Sequence, residues 1–282
     1  MLCSGMFSAG KPLPKVLYLI GVVVIFLAVY SQYFIELNAL TGYFVVYGVP
    51  VLVVGLFFGK EILHRATNNN KLATKLGLGM FGGFTVISLI ISIVALAILL
   101  QYDKNIIDLL NRPNPVLEVP QNVAWLMMLV SFLVIGPAEE FLFRGFMFGG
   151  LLNITKGRYW LPVAIGSSFL FALVHAYYVV VYGVASVIPF VTIITFSIAM
   201  SITYYYTNGN LIIPILIHGA FDATGFLTVA VSTEAGLAAR AALIFIGVVI
   251  AFYLFIKKLV TGHALTGSFF KKPSSNKQSS RV

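Results

Sequence analysis

Six residues join reactive chemistry to regular spacing: Glu139, Glu140, Arg144, His175, His218 and Asp222. Glu140 and Arg144 are four apart, as are His218 and Asp222, so each pair shares one face of a helix. Glu139 is turned about 100° from Glu140. A Glu140–Arg144 pair therefore acts as a helix clamp and leaves Glu139 without a local partner. A carboxylate left in that way suits general-base work on water. His175 can hold that water and share its proton, while His218 with Asp222 can stabilise the oxyanion of a tetrahedral intermediate. The set reads as hydrolytic, with a peptide bond as its target. Asp222 has two readings: protonated, it donates a hydrogen bond; ionised, it orients His218 and sustains its positive charge. Taken singly, His175 also reads as an interhelical hydrogen-bonding residue, and His218 with Asp222 as a proton relay.

The elements that hold these residues must be membrane helices. Of 282 residues, 60% are hydrophobic and 10% charged, with a mean hydropathy of +0.98. That excludes both a water-soluble globular chain and a disordered one. Eight apolar runs are long enough to span a bilayer: Val16–Gln32, Gly42–Phe58, Leu78–Leu100, Val123–Asn153, Tyr159–Tyr182, Val184–Tyr206, Leu211–Val231 and Leu237–Leu259. The fifth and sixth are separated by Gly183 alone. Glu139, Glu140, Arg144, His175, His218 and Asp222 all fall inside such runs, where a charge costs at least a few kcal/mol. Gly136-Pro137, just ahead of the carboxylates, is expected to break its span and free backbone groups near the site.

The net charge of +9 tests this count. Fourteen of the 18 cations lie before span one or after spans two, four and eight, among them Lys60, Arg65, Lys71, Lys75, Lys156, Arg158, Lys257 and Lys258. The other side holds Lys104 and Arg112, balanced by Asp103, Asp108 and Glu118, with Arg240 near a span end. The asymmetry favours eight helices with both termini cytoplasmic, in the cell membrane if the source is prokaryotic. It marks topology and contact with anionic membrane lipid, not nucleic acid. The chain divides into a cytoplasmic N-terminus (1–15), a helical domain (16–260, motif-bearing core about 123–231) and a basic tail (261–282) expected to be disordered. The first run lacks a small-x-small cleavage site and is read as a retained span. One cysteine, Cys3, excludes a disulfide framework.

Three stretches in order then carry a resemblance. Glu139-Glu140-Phe141-Leu142-Phe143-Arg144, Phe171-Ala172-Leu173-Val174-His175 and His218-Gly219-Ala220-Phe221-Asp222 resemble the three signatures of the CPBP family, the CAAX proteases and bacteriocin-processing intramembrane proteases. The resemblance covers about Leu126–Leu227. It implies that Glu139 with His175 activates water, that His218 and Asp222 form the oxyanion side, and that Glu140, Arg144 and Phe171 support them. It implies as substrate a prenylated protein C-terminus, cut before its last three residues, or a related hydrophobic peptide. Many members have Asn where Asp222 stands, which leaves both readings of Asp222 open. The expectation is a site without cofactor or metal; the zinc alternative would use Glu139, His175 and His218.

Span four runs towards Lys156–Arg158, which places cleavage near the cytoplasmic side. Trp160 and Tyr204-Tyr205-Tyr206 read as interfacial belt residues. Gly79, Gly82 and Gly83 read as sites of close helix packing, and His64 and His263 as solvated. The segments lack a rhomboid-type Gly-x-Ser-Gly, a second membrane aspartate and a His-Glu-x-x-His helix, so the other intramembrane protease chemistries find no residues here. The competing classes are a proton-coupled transporter, against which stands the lack of a visible repeat, and an inactive binding protein of the same fold.

Overall fold

A computed structural model describes residues 15–31, 34–35 and 39–261. Cys3, His263, nearly all of the expected N-terminal segment and the basic tail from 262 onwards lie outside the described residues. The described chain is helical, without a strand. Among the described residues, six helices are long and apolar enough to cross a membrane: α2 (Thr41–Leu63), α3 (Asn70–Tyr102), α4 (Gln121–Ile154), α6 (Tyr177–Tyr206), α7 (Ile212–Ala230) and α8 (Thr233–Leu259). Two shorter apolar helices, α1 (Lys15–Ser31) and α5 (Trp160–Leu173), complete the eight runs read from hydropathy. The protein is a polytopic, all-α membrane protein.

Two boundaries differ from the sequence expectation. The fifth run stops at Leu173, and Val174-His175-Ala176 form a turn, so Tyr177–Tyr182 joins the following helix. Gly183 bends that helix without ending it, at φ +53°, a conformation that costs glycine little. The expected break at Gly136-Pro137 is also absent: α4 runs through it. Its preceding turn, Ser131–Ile135, widens to a π-turn in which the Gly136 N–H reaches Ser131 O. A wider turn relieves the clash and the missing donor that proline brings to an α-helix. The same device recurs in α2, where Phe44–Gly48 widens ahead of Pro50 and the Val49 N–H reaches Phe44 O.

The ends of the bundle are set by loop contacts. At one end the 64–69 and 207–211 loops meet, with Leu211 and Ile212 N–H groups donating to Ala66 O and the Asn68 amide to Asn208 O. Lys60, Arg65, Lys71, Lys156 and Arg158 belong to this basic end. At the other, Arg112 donates to Val181 O and Gln121 to Ala230 O. Between the ends, α3 packs along α6 and α8, and α7 lies against α4 and α8. A Cβ on Gly82 would collide with the Gly247 backbone, so these glycines let α3 and α8 touch. Gly83, in contrast, faces open space. Trp160 stacks on Tyr205 at 4.9 Å, whereas Tyr204 is buried edge-on to Phe148 and belongs to the core, not to an interfacial belt. His64 is exposed, as expected.

α1 and α2 carry no signature yet buttress the site helix. Phe146 of α4 lies 5.1 Å from both Tyr18 and Phe58, and the Tyr18 hydroxyl donates to Met147 O. That aromatic packing holds α4 from the side away from α7.

Candidate active site

The site forms where α4 and α7 come closest. A Cβ on Gly136 would lie 3.2 Å from Ile215 O and 3.3 Å from Gly219 N, and one on Gly219 would lie 3.0 Å from Phe132 Cα. Only backbones without side chains there can approach so nearly. The approach carries Glu139 and Glu140 against His218 across the seam.

Glu140 and Arg144 pair as the spacing requires, with Nη1 2.9 Å from Oε1 and both residues fully buried. The guanidinium lies over the Phe171 ring at 4.6 Å, which explains the aromatic residue one turn before His175. Glu140 does more than the expected clamp: its Oε1 also accepts from His218 Nδ1 at 2.7 Å. The opposite ring nitrogen, Nε2, then lies 3.5 Å from both Glu139 Oε2 and Asp222 Oδ2. Those two contacts exceed normal hydrogen-bond length. One histidine is thus gripped on one side and presented to two carboxylates on the other.

Glu139 is not without a partner. The Tyr47 hydroxyl of α2 donates to its Oε1 at 3.0 Å. Sequence spacing could not reveal this contact, since it joins residues 92 positions apart; a polar hydroxyl in an apolar helix ahead of a proline was the only signal. His175 sits in the turn after α5 with Nδ1 held 2.8 Å from Phe171 O, and its ring edge-on to Phe171. Among the described residues no carboxylate oxygen comes within ion-pair distance of His175. The histidine in contact with Glu139 is His218.

These groups line a cavity of about 970 Å³ whose wall includes Tyr47, Glu139, His175, His218, Asp222 and Arg240. The cavity reaches the segment Asn114–Leu117, between α3 and α4. It therefore opens at the end of the bundle opposite the basic loops. α4 is 34 residues long and holds Glu139 near its middle. Arg240 is likewise two turns inside α8, not at a span end, because that helix begins at Thr233.

Among the described residues no three His, Cys, Asp or Glu side chains converge as a group able to hold a metal ion. His218 Nδ1 is already committed to Glu140, and His175 Nδ1 to a carbonyl. Glu139, His175 and His218 are not gathered as such a group among the described residues, and the Nδ1 contacts orient both imidazole rings.

The fold and site define a helical membrane protein with a buried carboxylate–histidine centre beside a large cavity. Residues 120–224 match the family described as Rce1-like: Type II CAAX prenyl endopeptidase Rce1-like. The match spans all three motifs and, at family level, supports a CAAX-type intramembrane protease of the CPBP family. No curated protein and no solved structure matches the chain.

Proposed function

We propose that the protein is an intramembrane endopeptidase in which Glu139 is the general base. The observation that carries the reading is the convergence of Glu139 and His218 on one cavity wall, with His218 fixed from behind by Glu140. Glu139 takes a proton from water held between it and His175, and the hydroxide adds to the carbonyl carbon of the scissile bond. The carbonyl oxygen becomes an oxyanion facing His218 Nε2, which Asp222 orients. Glu139 then returns the proton to the amide nitrogen, and the C–N bond breaks. Arg144 holds Glu140 in place, and Tyr47 aims Glu139.

The substrate is a prenylated protein C-terminus or a related hydrophobic peptide reaching the cavity from the bilayer. The cation bias favours cytoplasmic termini, and the cavity mouth then faces the extracytoplasmic side. That position favours an exported peptide as a second reading of the substrate.

Two experiments test these readings. Purified protein is expected to cleave a fluorogenic farnesylated peptide, with the activity lost in Glu139→Ala and unchanged by a chelator. Loss with chelator and recovery with zinc would overturn the metal-free mechanism; cleavage by neither protein would shift weight to proton-coupled transport. Separately, Asn114→Cys in a Cys3→Ser background is expected to react with an impermeant maleimide added outside intact cells. Labelling only after permeabilisation would place the mouth in the cytoplasm, where prenylated tails are found.

A further inference from the structure

We propose that Arg240 binds the free terminal carboxylate of the substrate peptide, in a subsite one to two turns along α7 from the reacting groups. The inference rests on the protease reading above. Arg240 projects from α8 into the cavity wall. Its guanidinium lies 4.6 Å over the Phe221 ring, and its Nε donates to Thr224 Oγ1 at 2.9 Å. The Thr224 hydroxyl in turn donates to Phe221 O, which fixes its acceptor side towards Arg240. A Cβ on Gly225 would lie 3.5 Å from Nη2, so glycine keeps that nitrogen uncrowded.

This cation is held but not neutralised. Among the described residues no carboxylate lies within ion-pair distance of it, and Asp222 acts on it only through space. A guanidinium at membrane depth is costly unless it meets an anion, and its fork matches a carboxylate in two parallel hydrogen bonds. The spacing fits a short leaving segment. Thr224 lies six residues beyond His218, about 9 Å along a helix, and three extended residues reach about 10 Å. A peptide whose scissile carbonyl faces His218 therefore brings the carboxylate of its third following residue to Arg240. The protein would read the end of a chain, not only the bond it cuts.

The test compares two farnesylated peptides of one sequence, with three residues after the modified cysteine, ending in a carboxylate or a carboxamide. Wild type is expected to favour the acid by about 10- to 100-fold in kcat/KM, the range of one charge-assisted contact. Arg240→Gln should bring the ratio to near one, mainly through a raised KM for the acid, and Arg240→Lys should restore part of it. Because each ratio is taken within one protein, a general loss of active enzyme does not alter it. A wild-type ratio near one, or a ratio preserved in Arg240→Gln, would overturn the anchor while leaving the protease intact. If wild type cleaves neither peptide, the prenyl-peptide reading fails by itself. Binding of the two peptides to Glu139→Gln then decides the anchor, since equal affinity for acid and amide refutes it.

Discussion

Two arginines lie at membrane depth, each with its guanidinium 4.6 Å over a phenylalanine ring, and they are used differently. Arg144 is fully buried, paired with Glu140 and joined through it to His218. Arg240 has the same aromatic support and a hydroxyl acceptor but no ion pair among the described residues, and it faces a cavity. The ring sets where each cation rests, and the counter-ion sets whether it is available. Arg144 is consumed by the architecture of the site. Arg240 retains its capacity to bind an anion.

The contrast can be broken or sharpened by substitution. The largest effect is expected at the proposed base: Glu139→Gln should lower kcat by about 10²- to 10⁴-fold, the range for a general base, with an unchanged melting temperature in detergent. Next comes the buried pair. Arg144→Met leaves the buried Glu140 with His218 as its remaining partner, a loss of about 3–5 kcal/mol, whereas Arg240→Met should leave the melting temperature near that of wild type. Equal destabilisation by both would break the comparison. Tyr47→Phe removes one hydrogen bond to a carboxylate, so kcat should fall about 10-fold or somewhat more while the acid-over-amide preference persists. The smallest expected effect is mechanical. Gly219→Ala forces a methyl against the Phe132 backbone and should cost about 1–3 kcal/mol, read as a lower melting temperature with both peptides affected alike.

Much of this arrangement is legible in the sequence. The i, i+4 spacing of Glu140 with Arg144 and of His218 with Asp222 required shared faces, and both contacts are present at 2.9 and 3.5 Å. Hydropathy located all eight apolar runs, because a bilayer leaves few ways to bury so many apolar residues. What was missed depends on contacts between distant segments. Tyr47 meets Glu139 only because α2 packs beside α4. Glu140 reaches His218 only because glycine faces backbone at Gly136 and Gly219. The end of α5 at Leu173 carries no glycine or proline to announce it; Val174, His175 and Ala176 are all compatible with helix. The proline in α4 misled in the opposite direction, since a widened turn absorbs it.

The 120–224 segment that resembles known proteases contains Glu139, Glu140, Arg144, His175, His218 and Asp222, but stops short of Arg240 and begins well after Tyr47. Both flanking residues touch the same cavity. The groups proposed to break the bond and those proposed to aim or select are thus separate along the chain. A chimera keeping α4 to α7 while replacing α2 and α8 is expected, on the proposed reading, to keep cleavage under a new choice of what is cut.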